Sequence, residues 1–287
     1  MKRLILFILI SFMTYSDSFD FFHDNDIFIT DEYYTSGFEF KYRHDSTKEE
    51  NNYYNFILGQ KFYTPSNITE IETDKYDRPY AAWLYLGYEK EKIENRKEKI
   101  YGFQMGITGP NALGEFLQGT MHEIIGEEIP SGWKTQIEEI IGLQYYYSLK
   151  DEVFGKEENG NFISRQNHYV LELGNIFVNG KYGKIFLIGN KTPFEKSQRE
   201  LNYYFYFEPQ IQLTLYDATL KGRIYDAESI VTRDFYNYVI NNIVGAQVEY
   251  KDLMFAYSLN FNSTEIKEMP WKVVNHTYSK FYIRVNF

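Results

Sequence analysis

The 287-residue chain carries 30 basic and 40 acidic side chains, a net charge of −10 that argues against nucleic acid and is compatible with divalent cations nearby. It has no cysteine, which excludes disulfides and thiolate metal sites. Aromatic residues make up 19% of it, with 28 tyrosines, more than an ordinary globular core needs and in keeping with the aromatic girdles of an outer-membrane barrel.

Met1-Lys2-Arg3 leads into an apolar run of about ten residues and then to small residues at Ser16 and Ser18, the pattern of a secretory signal peptide. The run falls short of the roughly 20 residues that span a bilayer. Residues 1–18 are therefore expected to be removed on export, with cleavage after Ser16 or Ser18, leaving residues 19–287 as one domain. No later segment reaches the ~18 consecutive apolar residues of a membrane helix.

The first expected strand closes on His23-Asp24-Asn25-Asp26, and the second opens after Asp31-Glu32 with Tyr33-Tyr34-Thr35-Ser36-Gly37. Across one hairpin these side chains could converge, although strict alternation sends Asn25 and Asp26 to opposite faces unless the strand bulges or ends there. With Phe38 and Phe40 outward, Thr35 and Glu39 point inward. Asn, Asp, Thr and Glu offer hard oxygen ligands that suit calcium rather than zinc. A solvated acidic hairpin is an equally good account. Asp77-Arg78-Pro79-Tyr80 leads the fourth strand and reads as structural.

Tyr101, Phe103, Met105 and Ile107 alternate with polar or small residues, as do Leu143, Tyr145, Tyr147 and Leu149, and later Leu253, Phe255, Tyr257, Leu259 and Phe261. One face suits lipid and the other a polar interior. Between the first two sets, residues 109–136 form the one convincing helical stretch. Gly109-Pro110-Asn111 is a turn with Asn111 as N-cap, and Gly126 stands where the helix stops. At about 100° per residue, Leu113, Phe116, Leu117, Met121 and Ile124 share one side, opposite Glu115, Gln118 and His122. A site-building insertion fits that pattern. So does the commoner amphipathic helix lying on a sheet with His122 exposed.

A soluble β-sandwich gives the same alternation, so the C-terminus decides. Phe281, Ile283, Val285 and Phe287 share a face opposite Tyr282, Arg284 and Asn286, and a last strand ending in an aromatic residue resembles the assembly signal of bacterial outer-membrane barrels. The fold expected is a transmembrane antiparallel β-barrel. Its strands fall near 19–27, 35–44, 53–62, 80–90, 98–108, 138–150, 163–175, 180–189, 202–215, 238–250, 252–264 and 277–287. That makes twelve, an even number, with the helix between strands 5 and 6.

Three blocks carry a family resemblance: NDIFITDEYYTSGFEF at 25–40, YDRPYAAWLY at 76–85 and GITGPNALGEFLQGTMHEIIGEEIPSGWKTQIEE at 106–139. In that order they resemble the lipid A 3′-O-deacylase family, LpxR. The second half of the chain resembles it only in strand pattern and in its final Phe287. The resemblance implies a twelve-stranded outer-membrane barrel that hydrolyses an ester with calcium and releases the 3′-acyloxyacyl group of lipid A. It assigns function to Asn25, Asp26, Thr35, His122 and Glu128, with calcium on Asp26, Asn25 and Glu128. Glu127 beside Glu128 leaves two carboxylates for the last role, and Glu128 keeps the spacing of six from His122.

His122 is then the candidate general base for water, and calcium the Lewis acid on the scissile carbonyl. Glu128 would hold the imidazole in one tautomer or help bind the metal, and Thr35 would position the water or complete the oxyanion site. No serine lies near His122 in a nucleophile motif, and Ser36 is the only one beside the cluster. The alternatives are an outer-membrane phospholipase, which lacks its serine motif here, and a porin or binding barrel with the helix as plug. The expected partner is lipopolysaccharide in the outer leaflet, met by a monomer. Lys41, Arg43, Lys61 and Arg78 are too scattered to make a phosphate site.

Overall fold

A computed structural model describes residues 17–25, 33–46, 51–194, 199–225, 228–267 and 276–287, with the side chains of residues 33–35 left out of that description. The expected signal peptide therefore lies outside the described residues up to residue 16, and so does Asp26. Twelve antiparallel strands follow one another round a closed barrel. They are β1 (Ser18–Asn25), β2 (Tyr33–Asp45), β3 (Asn52–Thr64), β4 (Ala81–Glu94), β5 (Lys97–Thr108) and β6 (Ile141–Glu158). The chain continues through β7 (Asn161–Gly174), β8 (Phe177–Gly189), β9 (Leu201–Asp217), β10 (Tyr238–Tyr250), β11 (Leu253–Asn262) and β12 (His276–Asn286). Among the described residues two α-helices interrupt them, α1 (Gly114–Ile125) after β5 and α2 (Ala218–Lys221) after β9.

Each expected strand has its counterpart, and the differences have local causes. β6 and β7 extend through the polar stretch expected as a loop, because Asn159-Gly160, both with positive φ, close a tight hairpin. A bulge between Glu152 and Phe154 breaks the alternation there, which hides the strand from a period-two reading. Asn95-Arg96, again both with positive φ, turn β4 directly into β5.

The alternation sorts the two faces as expected. Phe40, Leu58, Leu86 and Met105 are cross-strand neighbours on β2 to β5 and stand exposed on the outer wall. Their intervening residues face a lumen of paired charges. Arg43 donates to Glu91 at 2.8 and 3.1 Å and lies over the Tyr53 ring, Lys150 meets Glu98 at 2.7 Å, and His168 meets Glu208 at 2.6 Å. At the end that carries the long loops, Ile57, Trp83, Tyr85, Ile137, Ile140, Ile176, Phe177 and Ala218 fill the lumen with an apolar plug.

The β1–β12 seam closes the cylinder. Its ladder runs from Ser18 opposite Asn286 to Asn25 opposite Ser279. On the lumen side, Arg284 donates to both oxygens of Asp20 at 2.8 and 2.7 Å, and the Tyr282 hydroxyl donates to the same carboxylate at 3.0 Å. Outside, the Phe287 ring packs on Phe19 with centroids 5.4 Å apart. Breaking a buried ion pair by removing one partner costs about 3–5 kcal/mol, whereas replacing both partners with apolar groups costs far less. Asp20→Ala is therefore expected to lower the temperature at which the compact gel band converts to the extended one. Asp20→Leu combined with Arg284→Leu should recover most of that loss.

Candidate active site on the outer wall

The segment between β5 and β6 leaves the rim and folds back over the outside of the barrel. Gln60 and Ala82 lie on the same faces of β3 and β4 as the exposed Leu58 and Leu86, yet both are buried. What covers them is the loop. The Gln60 side-chain amide donates to the main-chain carbonyl of Ala112. A side chain on Gly114 would meet Trp133 at 2.4 Å and Ala82 at 2.8 Å, so only glycine lets α1 sit this close to the wall. Phe62, Tyr76, Tyr80, Ala82, Ala112, Trp133 and Val231 form the apolar cluster beneath, with Phe38, Leu84, Ile107 and Leu117 at its edge.

Asn111 is not the N-cap. Residues Pro110–Ala112 make a 3-10 turn, Asn111 donates to the Glu139 carboxylate, and Leu113 enters the helix in the left-handed region at φ 60°. With the Ala112 carbonyl held by Gln60, the turn is fixed before the helix begins. Gly126 does end it, at φ 78°, with its N–H donating to the His122 carbonyl at 2.9 Å.

The helix turns Gln118 and His122 toward the protein, while Glu115 of the same stripe and Glu123 stand exposed. Gln118 and His122 are 5% and 6% exposed, while Phe116 and Ile124 are 66% and 73% exposed. An exposed His122 on an ordinary amphipathic helix is thus not what the chain builds. A helix that buries polar groups and displays apolar ones is stable where its surroundings are hydrocarbon.

His122 Nδ1 lies 2.6 Å from the main-chain carbonyl oxygen of Glu128. A carbonyl can only accept, so Nδ1 carries a proton, and in the neutral ring the lone pair is on Nε2. The Glu128 carboxylate does not orient the ring. It is exposed, in an open groove lined by Ser66, Asn67, Ile68, Glu127 and Glu128, and Glu127 is the carboxylate nearer the ring, 3.9 Å from Nδ1.

One turn before His122, Gln118 accepts from the Trp133 indole N–H at 2.8 Å. Its amide nitrogen is buried without a partner among the described residues. Such a group is expensive to leave unmet. Its place on the polar face was legible in the sequence, but its pairing with Trp133 was not, since Trp133 stands on a separate 3-10 turn beyond the irregular stretch that follows the helix.

On the neighbouring wall, Asn25 pairs with Ser36 and so lies on the outward face with Phe19 and Phe21. β1 is described as far as Asn25, and the expected position of Asp26 beside it lies outside the described residues. The β2–β3 register slips between Tyr33 and Ser36, inserting one residue beside Thr35. The inward direction expected for Thr35 concerns a side chain that lies outside the described ones. Glu39 does face the lumen, accepting from the Tyr85 hydroxyl at 2.9 Å. The Ser36 hydroxyl is 3.3 Å from His23 Nε2.

The four scattered cations are structural. Lys41 lies between Glu39 and Glu89, Arg43 is held by Glu91, and Lys61 lies over the Phe177 ring. Arg78, 1% exposed, donates to Thr219 at 3.0 Å and ties the β3–β4 loop to α2, while Asp77 accepts from Ser66. A bulkier residue at 114 should release α1, since overpacking costs about 1–3 kcal/mol. Gly114→Val is expected to make the loop between β5 and β6 sensitive to protease while the barrel keeps its heat-modifiable mobility.

Comparison with known proteins covers nearly the whole chain. Residues 4–287 match the family model described as outer membrane protein LpxR. LpxR from Salmonella typhimurium is similar in structure, with a TM-score of 0.80 at 23% identity, over 94% of this chain and 100% of that one. The β domain of the Bordetella autotransporter BrkA gives a TM-score of 0.50 at 9% identity, over 95% and 99% of the two chains. No curated protein matches the sequence.

Proposed function

The chain belongs to the LpxR family of outer membrane proteins, and from that premise we propose that it is a lipid A 3′-O-deacylase, a calcium-dependent ester hydrolase that removes the 3′-acyloxyacyl group. The observation that carries the reading is a histidine fixed in the Nδ1–H tautomer, one turn from a buried amide donor, on a helix whose far side is apolar. Its location in the outer membrane follows from the family and the closed barrel. Substrate in the outer leaflet would meet this wall directly.

His122 Nε2 takes the proton from a water molecule as its oxygen adds to the ester carbonyl. The Glu128 carbonyl keeps the ring in register and receives the Nδ1–H bond as the imidazolium forms. The Gln118 amide donates to the oxyanion, with Trp133 holding its other end. Collapse breaks the bond to the sugar oxygen, and His122 returns the proton to that oxygen, leaving a free hydroxyl and a carboxylic acid. Thr35 positions the water.

Asn25, Asp26 and Glu128 would hold calcium, and they fit it chemically because they offer only oxygen donors. Bound there, calcium supplies a Lewis acid for the carbonyl. The helix is no plug, since it packs outside a lumen already filled by Trp83 and its neighbours.

Mass spectrometry of lipid A from cells making the wild type should show loss of the acyloxyacyl mass. His122→Gln should cut the rate by about 10²–10⁴-fold, and chelation of calcium should abolish it. Intact lipid A from wild type folded in the outer membrane would contradict the proposal. Glu128→Gln keeps the main-chain carbonyl on His122, so it should raise the calcium concentration needed for half-maximal rate. An equal loss at saturating calcium would take Glu128 out of the metal site.

A further inference from the structure

α1 contains two glycines with opposite surroundings. Gly114 is forced by contact with Trp133 and Ala82, whereas a side chain on Gly119 would meet nothing within 4 Å. Gly119 is in mid-helix, where glycine lowers the folding constant about fivefold relative to alanine. Neither packing nor a turn accounts for it.

Its neighbours do. Gly119 precedes His122 by three residues, so the two share a flank of the helix, and it follows Gln118 directly. Gly126, four residues beyond His122, likewise has open space where a side chain would project. A side chain is therefore missing from this flank at both 119 and 126, with Glu115 and Glu123 exposed four residues either side of Gly119. The unpartnered Gln118 amide nitrogen, in a residue 5% exposed, is a second and independent sign that something absent from the protein completes this place.

We propose that Gly119 is a clearance position: the missing side chain makes a slot beside His122 and Gln118 for the acyl chain next to the scissile ester, and the size of residue 119 limits which acylated lipids are cut. The inference rests on the ester-hydrolase reading above. The ligand is an acyl chain because the slot opens on a helix whose outer side displays Phe116 and Ile124.

The test is a series in the full-length protein, Gly119→Ala, Gly119→Val and Gly119→Leu, with Thr120→Leu adding the same bulk on the apolar side. Deacylation of lipid A in mixed micelles and thermal stability are read together. Gly119→Ala should melt no lower than wild type, and its kcat/KM should fall roughly tenfold, the scale of one added methyl in a fitted pocket. Valine and leucine should fall further while the protein remains folded, and Thr120→Leu should match wild type.

Unchanged rates through leucine overturn the proposal. So does a rate loss that merely tracks a falling melting temperature, which would make Gly119 structural. Failure of the underlying reading shows differently, as a wild type that leaves lipid A intact, and it removes the substrate assigned to the slot.

Discussion

Hydrocarbon on the outside reverses the usual sense of a fold, and the rest of the structure follows from that reversal. Every main-chain N–H and C=O at membrane depth needs a partner within the protein, so the sheet must close, and β1 must find β12. Charged residues cannot face lipid and collect in the lumen, where each needs a counter-ion. The Asp20–Arg284 pair satisfies both demands together, spanning the seam while neutralising two lumen charges. Such lumen pairs balance one another and add nothing to the net charge of −10.

The same reversal governs the loop between β5 and β6. Once it crosses the rim and lies on the outer wall, Phe116, Met121 and Ile124 belong outside and Gln118 and His122 inside. Gln118 and His122 are then enclosed between helix and barrel, out of bulk water. Enclosure strengthens the hydrogen bonds that fix them, and the main-chain carbonyl of Glu128 sets the tautomer without contributing a charge. Reactive groups are presented sideways, to molecules in the membrane, rather than upward to solvent. A lumen sealed by Trp83 and its neighbours agrees with that division of labour, since nothing has to pass through the barrel.

The architecture was legible because period-two alternation survives in strands such as β5 and β11, where apolar and polar faces differ sharply. It faded in the extension of β6 and β7, where the bulge between Glu152 and Phe154 shifts the period and sets Val153 and Phe154 side by side among charged residues. The helix showed its two faces in the sequence, but not which one turns inward, because amphipathicity is symmetrical with respect to the medium. His122 stood out as a residue type. The partner of its Nδ1 did not, because a main-chain carbonyl leaves no mark on side-chain identity. One inserted residue between Tyr33 and Ser36 interrupts a register that runs unbroken along the rest of β2, which marks the limit of reading strands by alternation.

The central claim is that α1 lies against the outer wall with its apolar face in lipid. A chain without cysteine makes this directly measurable. Single cysteines at Phe116, Ile124 and, for comparison, Glu139 would carry spin labels in protein reconstituted into bilayers. Labels at 116 and 124 should be relaxed by oxygen dissolved in the membrane and shielded from a water-soluble nickel chelate, with the reverse at 139. Strong relaxation of 116 and 124 by the chelate would place the helix in water and contradict the account.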